Sequence, residues 1–257
     1  MPALKLDRRN QIVEMVTRQR TVKNGELMEH FGISIETLRR DLAYLEQRGY
    51  LRRVYGGAVA HDMLGGEPEY ESRSQLQLGE KAAIGAAAAA LVDAREAIYL
   101  GVGTTVQAMV ACLKDIRDIT VFTNAMRTAV ELSELPGCSV VLTGGQLRPK
   151  ELTLSGFPAD ENLAHFNVDK AFIGVGGVTE EGITDFHIGE AQLHRAMIRN
   201  AKTAIVLCDS SKLGVRAMNN VCPISEIDVL ITDGNAPAKL LRQLEKAGVR
   251  VIVASSE

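Results

Sequence analysis

The chain has 257 residues, 46% of them apolar and 24% charged, with 4% aromatic residues. This length accommodates a small module and one larger domain, and the composition excludes disordered and fibrous classes. The net charge of −3 is unevenly spread: residues 1–60 carry 11 Lys and Arg against 7 Asp and Glu, a net +4, and the remainder is −7. A cationic amino end on an anionic body places a polyanionic partner at the amino end. No N-terminal stretch joins a positive start to an apolar core, which argues against secretion and for a cytoplasmic protein. The longest apolar run, Ala82 to Val92, is Ala-rich and contains Gly85; it is too short to span a bilayer and reads as a packed helix. Cys112, Cys138, Cys208 and Cys222 form no C-x-x-C pair and have no His at ligand spacing. They read as reduced thiols, and nothing calls for a metal or a cofactor.

In chain order, Asp7 caps a first helix whose Ile12, Val13 and Val16 form one apolar stripe. Lys23 to His30 forms a second helix, with Leu27, Met28 and Phe31 inward and Gly32 ending it in the left-handed conformation. Ser34 N-caps a third helix with Thr37 at N3, and Ile35, Leu38, Leu42 and Leu45 make its buried stripe. A basic hairpin from Gly49 to Val59 follows. Helix, tight turn, helix and basic ribbon is a layout that reads duplex DNA. The candidate contacts are Ser34, Glu36, Thr37, Arg39 and Arg40 on the third helix, and Arg52, Arg53 and Tyr55 on the hairpin. Arg39 or Arg40 can grip guanine O6 and N7 or a phosphate, whereas Arg52 and Arg53 suit phosphates or the minor groove.

Residues 1–60 are thus a DNA-binding domain, 61–76 a linker and 77–257 a second domain. His61 to Glu69 contains Gly, Pro and acidic residues without periodicity and reads as a hinge. Beyond it, short apolar runs alternate with helical patterns. The strand candidates are 97–101, 120–123, 139–143, 170–175, 204–208, 229–232 and 249–253; helical patterns cover 105–113, 125–135, 190–200 and 237–247. This alternation specifies an α/β domain with a parallel sheet sandwiched by helices, whose ligands sit at strand carboxyl ends.

Those ends carry small and polar residues. Gly101, Gly103, Thr104 and Thr105 follow the first strand, Asn124 the second, Gly144 and Gly145 the third, Gly176 the fourth and Lys212 the fifth. Glycines admit an anion to backbone N–H groups, a helix start with two Thr hydroxyls completes a phosphate cradle, and Lys212 adds charge. Asn124 and Glu190 can bond sugar hydroxyls. The chain has no G-x-G-x-x-G, no P-loop motif and no G-x-S-x-G elbow. A small phosphorylated ligand is the reading these ends support.

The run Thr37-Leu38-Arg39-Arg40-Asp41-Leu42, then Leu45-Glu46 and Arg53-Val54-Tyr55-Gly56-Gly57-Ala58, resembles the N-terminal signature of the DeoR family of bacterial transcriptional regulators, with Leu38 where Ile is common. The resemblance extends through Gly103-Thr104-Thr105, Thr123-Asn124, Gly144-Gly145, Glu190 and Asp209-Ser210-Ser211-Lys212. It implies a winged helix-turn-helix followed by a sensor domain of ribose-5-phosphate isomerase/CoA transferase-like fold. It also implies a repressor of a carbohydrate operon, a double-stranded DNA operator, a phosphorylated sugar effector and a homo-oligomer, dimer or tetramer. The alternative is a phosphosugar isomerase-like enzyme with a fused DNA-binding domain. Against it, glycines and Val178 follow the strand ending at Val175, where the related isomerases place acidic residues.

Overall fold

The computed structural model describes residues 8–255 apart from 10, 14, 17–18, 48–49 and 61–66. Asp7 and the hinge residues 61–66, His61 among them, lie outside the described residues. By internal contacts the chain divides into two units, Met1–Leu76 and Gln77–Glu257.

In the first unit, residues 11–13 and 15–16 are helical, and Ile12, Val13 and Val16 are buried. Strand β1 (Thr21–Lys23), helices α1 (Asn24–Phe31) and α2 (Ile35–Gln47), and strands β2 (Leu51–Val54) and β3 (Gly57–Ala60) follow. Gly32 has φ 59° and donates its N–H to the Met28 carbonyl, which ends α1 in the left-handed conformation. The Thr37 amide donates to Ser34 Oγ at 3.3 Å, capping α2. Leu27, Leu38, Leu42 and Leu45 close over the first helical segment as one core.

The sequence places Lys23 at the start of a helix; the structure places it at the end of β1, and α1 begins at Asn24. Thr21, Val22 and Lys23 pair with Val59, Ala58 and Gly57, making the hairpin a three-stranded sheet of order β1-β3-β2. Val22, β-branched and fully buried, fits a pleated surface better than a helix start. Within the linker, α3 (Tyr70–Ser74) forms, Leu76 packs on the first unit's core, and Tyr50 Oη donates to Gln75 Oε1 at 2.9 Å.

The second unit opens with α4 (Leu78–Ala89) and is built on β4 (Ala97–Leu100), β5 (Ile119–Thr123), β6 (Cys138–Leu142), β9 (Val168–Gly174), β12 (Ala201–Leu207), β14 (Val229–Asp233) and β15 (Arg250–Ala254). These are the seven runs read from the sequence. They pair in parallel in the order β15-β14-β12-β9-β4-β5-β6. Alternate residues bury opposite faces. Tyr99, Ile173 and Val206 face α7 (Phe157–Ala164), α8 (Ile188–Asn200) and α9 (Ala238–Lys246); Ile98, Leu100, Phe172 and Ile205 face α4, α5 (Thr104–Val110) and α6 (Met126–Ser133). Burial on both faces is why the central strands read as unbroken apolar runs.

Sequence reading passed over three features. A hairpin of β7 (Gln146–Arg148) and β8 (Thr153–Ser155) follows β6, helix α7 follows the hairpin, and β10 (Gly177–Val178), β11 (Gly182–Asp185) and β13 (Asn219–Pro223) form a separate small sheet. All four cysteines are free thiols, with Cys208 and Cys222 buried. No described helix is long and apolar enough to cross a membrane.

The chain enters the large sheet at β4, builds outward through β5 and β6, then returns to β9 on the other side of β4 and builds outward again to β15. Strand order therefore reverses between β4 and β9. Open α/β sheets bind ligands beyond the carboxyl ends of the strands at such a reversal.

Candidate functional site

In the first unit, the predicted DNA-contacting residues lie on α2, at its N-cap and on the β2–β3 hairpin. Ser34, Glu36, Arg39 and Arg40 are exposed and Thr37 half-buried, while Leu38 and Leu42 anchor the opposite side of α2. Arg40 Nε donates to the Glu36 carbonyl at 3.3 Å, which draws its guanidinium along the start of the helix. Arg52 and Arg53 are adjacent on β2 and project to opposite faces of the hairpin. They differ in freedom. The Arg53 amide donates to Glu46 Oε1 at 2.7 Å and its Nε to Glu46 Oε2 at 2.6 Å, so this side chain clasps the hairpin to α2. Tyr55 stands fully exposed at the tip, beside half-exposed Val54.

Burial raises the Glu46 carboxyl, but the Arg53 amide and guanidinium outweigh it and hold the group below the ordinary carboxylate range. A lowered folded value means that the clasp stands above the unfolded value and is lost as pH falls through the folded one. The Arg53 amide resonance is therefore expected to titrate below the ordinary glutamate range of about 4.3. A midpoint above that range in an NMR pH titration would contradict the clasp.

A second cluster sits beneath α2. Asp41 is 1% exposed; its Oδ2 accepts Arg8 Nε at 2.9 Å and Nη2 at 2.6 Å, and its Oδ1 accepts Arg9 Nε at 2.7 Å. The Arg9 guanidinium also lies 3.6 Å from the Tyr44 ring centroid. Asp41 follows Arg39-Arg40 directly, yet it turns inward and ties α2 to the first helical segment.

In the second unit, the turn carrying Gly101, Gly103, Thr104 and Thr105 leaves β4 at the reversal point. Gly103 has φ 123°, which L side chains rarely adopt, and a Cβ on it would stand 3.7 Å from Gly174 Cα at the end of β9. A Cβ on Gly174 would lie 2.4 Å from the Val102 carbonyl oxygen. The two loops thus meet backbone to backbone, which only glycine permits. Thr104 and Thr105 are 9% and 7% exposed, so their hydroxyls lie in the wall of the turn. Gly176 faces Phe186, whose ring centroid is 5.8 Å from Lys212 Nζ on the turn after β12. That turn is set by two buried carboxylates: Asp209 accepts the Ser211 amide at 3.1 Å, and Asp233 accepts the Ser210 amide at 2.6 Å.

Asn124 and Glu190 are buried and carry internal partners. Tyr99 Oη donates to Asn124 Oδ1 at 2.6 Å, and Asn124 Nδ2 donates to the Leu154 carbonyl at 3.0 Å. Glu190 Oε1 accepts Thr153 Oγ1 at 2.9 Å and Arg148 Nη1 at 3.0 Å. Burial, aided by the Glu190 charge, pushes the Tyr99 hydroxyl far above its ordinary range, so it remains a neutral donor. Gly144 and Gly145 lie past the edge strand β6, with φ 76° and 111°, and turn the chain into the hairpin. They are separated from the β4 turn by β5.

The structure therefore sets the β4 turn and Gly176 at the reversal point, places Lys212 after the neighbouring strand β12, and ties both Asn124 and Glu190 to the β7–β8 hairpin. Tyr99, Arg148, Thr153 and the buried pair of His194 Nδ1 and Asp185 Oδ2, 3.1 Å apart, escaped sequence reading. Tyr99 reads as one more apolar strand residue, and Arg148 as part of an irregular loop. The spacing of Glu190 and His194, one helical turn apart on α8, is the trace that was available.

Comparison with known proteins agrees with this architecture. The DeoR-like helix-turn-helix domain matches residues 8–63, and the DeoR C terminal sensor domain matches residues 76–234. A putative aga operon transcriptional repressor of Escherichia coli O157:H7 is 34% identical, over 96% of this chain and 93% of that protein. The HTH-type transcriptional repressor GlcR of Bacillus subtilis is 34% identical, over 96% and 95%. The glycerol-3-phosphate regulon repressor of Escherichia coli K12 is 29% identical, over 92% and 94%. Among solved structures, ribose 5-phosphate isomerase A of Methanocaldococcus jannaschii aligns over 52% of this chain and 53% of its own, at 20% identity and a TM-score of 0.38. With both domains matched in order and full-length relatives that are regulators, the chain belongs to the DeoR family and is a DNA-binding transcriptional regulator rather than an enzyme.

Proposed function

We propose that this regulator represses a carbohydrate catabolic operon in the cytoplasm and that a phosphorylated sugar, bound at the β4–β9 crevice, alters its grip on the operator. The observation that supports the ligand reading is the reversal point itself, with a glycine-built turn after β4, Gly176 after β9 and Lys212 after the next strand, β12. Glycine-opened amides and one compact cation suit a phosphate monoester. The names of the aga, GlcR and glycerol-3-phosphate relatives support a sugar-related operon.

In this reading α2 enters the major groove, with Ser34, Glu36, Thr37, Arg39 and Arg40 at its leading end, and the hairpin flanks it with Arg52, Arg53 and Tyr55. One such module covers too little DNA for tight specific binding, so two or more subunits present paired helices to half-sites about one helical turn apart. Effector occupancy acts by favouring one arrangement of those subunits over another, which requires different affinities for the ligand in the two.

Gel shifts and footprinting on fragments upstream of carbohydrate operons, with and without sugar phosphates, test this directly. A protected half-site pair that weakens with one sugar phosphate is the expected result; protein that ignores every such fragment at low salt defeats the proposal. Arg39→Ala or Arg40→Ala is expected to cost about 1–3 kcal/mol of specific affinity for whichever reads a base. Arg52→Ala is expected to weaken binding across all sequences and to lower the salt slope by about one counterion. Arg53→Ala, which unclasps the hairpin from Glu46, is expected to alter hairpin order as well. Identical salt slopes for wild type and Arg52→Ala would remove the hairpin from the interface.

A further inference from the structure

We propose that Arg148 is a positioning residue that holds the Glu190 carboxylate in place as an acceptor for ligand hydroxyls, and that this pair makes the crevice select polyol phosphates over inorganic phosphate. The inference rests on the phosphorylated-ligand reading above and assigns the residues that choose among such ligands.

Glu190 is a carboxylate with a 4% exposed side chain at the start of α8. A buried carboxylate without a counter-charge neutralises itself by taking up a proton. Arg148, on the hairpin that follows β6, supplies that counter-charge at 3.0 Å while remaining 29% exposed. Both donors to Glu190, Arg148 and Thr153, fall on Oε1. Oε2 accepts no hydrogen bond among the described residues, which leaves one charged oxygen for an arriving hydroxyl. The network beside it is fixed in place. Tyr99, the residue before last of β4, gives its proton to Asn124, and Asn124 holds the hairpin through Leu154, whose amide donates back to the Asn124 carbonyl at 2.8 Å.

A Cβ on Gly101 would stand 3.1 Å from His194 Nε2, and His194 lies one helical turn after Glu190, so the phosphate turn and the start of α8 are neighbours. A ligand with an anionic group at the turn and hydroxyls on its carbon chain meets both; inorganic phosphate meets only the first. Among the described residues, the titratable groups near Glu190 include Arg148 from β7, Tyr99 from β4, His187 at the N-cap of α8, and His194 one turn along it, paired with Asp185.

The test uses the full chain and calorimetric titration with inorganic phosphate, glycerol 3-phosphate, ribose 5-phosphate, glucose 6-phosphate and fructose 6-phosphate. Wild type is expected to bind at least one of the four organic phosphates about 10-fold or more tighter than inorganic phosphate. Glu190→Gln is expected to reduce that preference by about 10- to 100-fold, the worth of a hydrogen bond to a charged group. Arg148→Gln is expected to lose part of the same preference, and Arg148→Lys to restore it. A pair that merely docks the hairpin onto α8 changes the melting temperature and leaves the preference alone. Glu190→Gln keeps the shape of the side chain and decides the matter even if Arg148→Gln unfolds the hairpin. An unchanged preference in Glu190→Gln overturns the proposal and leaves the phosphorylated-ligand reading intact; wild type that binds none of the five overturns both.

Discussion

Replacing Asp41 by Ala is expected to unfold the DNA-binding unit under conditions where the larger unit stays native. Asp41 is 1% exposed and is held by Arg8 and Arg9, whose side chains are 22% and 11% exposed. Removing the carboxylate strands two largely buried guanidinium groups, and breaking a buried ion pair from one side costs about 3–5 kcal/mol. Part of Arg9 keeps its stacking on Tyr44, which places the loss toward the lower end. A unit of this size buries a small share of its surface and stands near the bottom of the ordinary stability range of about 5–15 kcal/mol. The change therefore consumes most of its stability. Urea unfolding read by circular dichroism should show an early transition in Asp41→Ala, together with loss of operator binding. Asp41→Asn keeps the volume and loses the charge, so it should behave almost as badly. A single unfolding transition at the wild-type midpoint, with operator binding retained, would show that the two arginines find water instead.

That clamp also marks where sequence reading stops. The seven sheet strands were legible because burial on both faces produces unbroken runs such as Ala201–Leu207, and Gly32 and Ser34 were legible because each acts on its own neighbours. Asp41 and Arg8 are 33 positions apart, and no local period relates them. The β7–β8 hairpin was missed for the same reason. Its strands are three residues each, and its attachment depends on polar contacts from Asn124, 30 positions before Leu154, and from Glu190, 42 positions after Arg148. Glycines follow several strand ends, and only the order in which strands assemble tells where each one lies. Gly101, Gly103 and Gly176 follow β4 and β9 at the reversal, whereas Gly144 and Gly145 follow the edge strand β6. Lys23 illustrates a competition within one segment: helix propensity and strand pairing both claim it, and the register of Thr21–Lys23 with β3 wins because Val22 is buried by it.

Gly174→Ala is expected to silence the effector response while sparing DNA binding. The added Cβ would sit 2.4 Å from the Val102 carbonyl oxygen, far inside van der Waals contact. The obstructing atom is backbone in the middle of the Gly101–Thr105 turn and cannot rotate away as a flexible side chain would. Relief requires the turn to move off the end of β9, and overpacking of this kind costs about 1–3 kcal/mol. For a domain of this size each kcal/mol lowers the melting temperature by about 2–4 °C, so the fold survives. The turn's amides do not keep their places, because the Val102 carbonyl that must yield belongs to the same turn. The variant should therefore bind operator as wild type does and release it only at sugar phosphate concentrations raised by 100-fold or more, since a displacement of about 1 Å at a preorganised site has consequences of that order. Gly234→Ala supplies the control: nothing lies within 4 Å of its added Cβ, and both stability and response should be unaltered. A gel-shift titration in which Gly174→Ala responds at the wild-type effector concentration would place the anion elsewhere than the β4–β9 reversal.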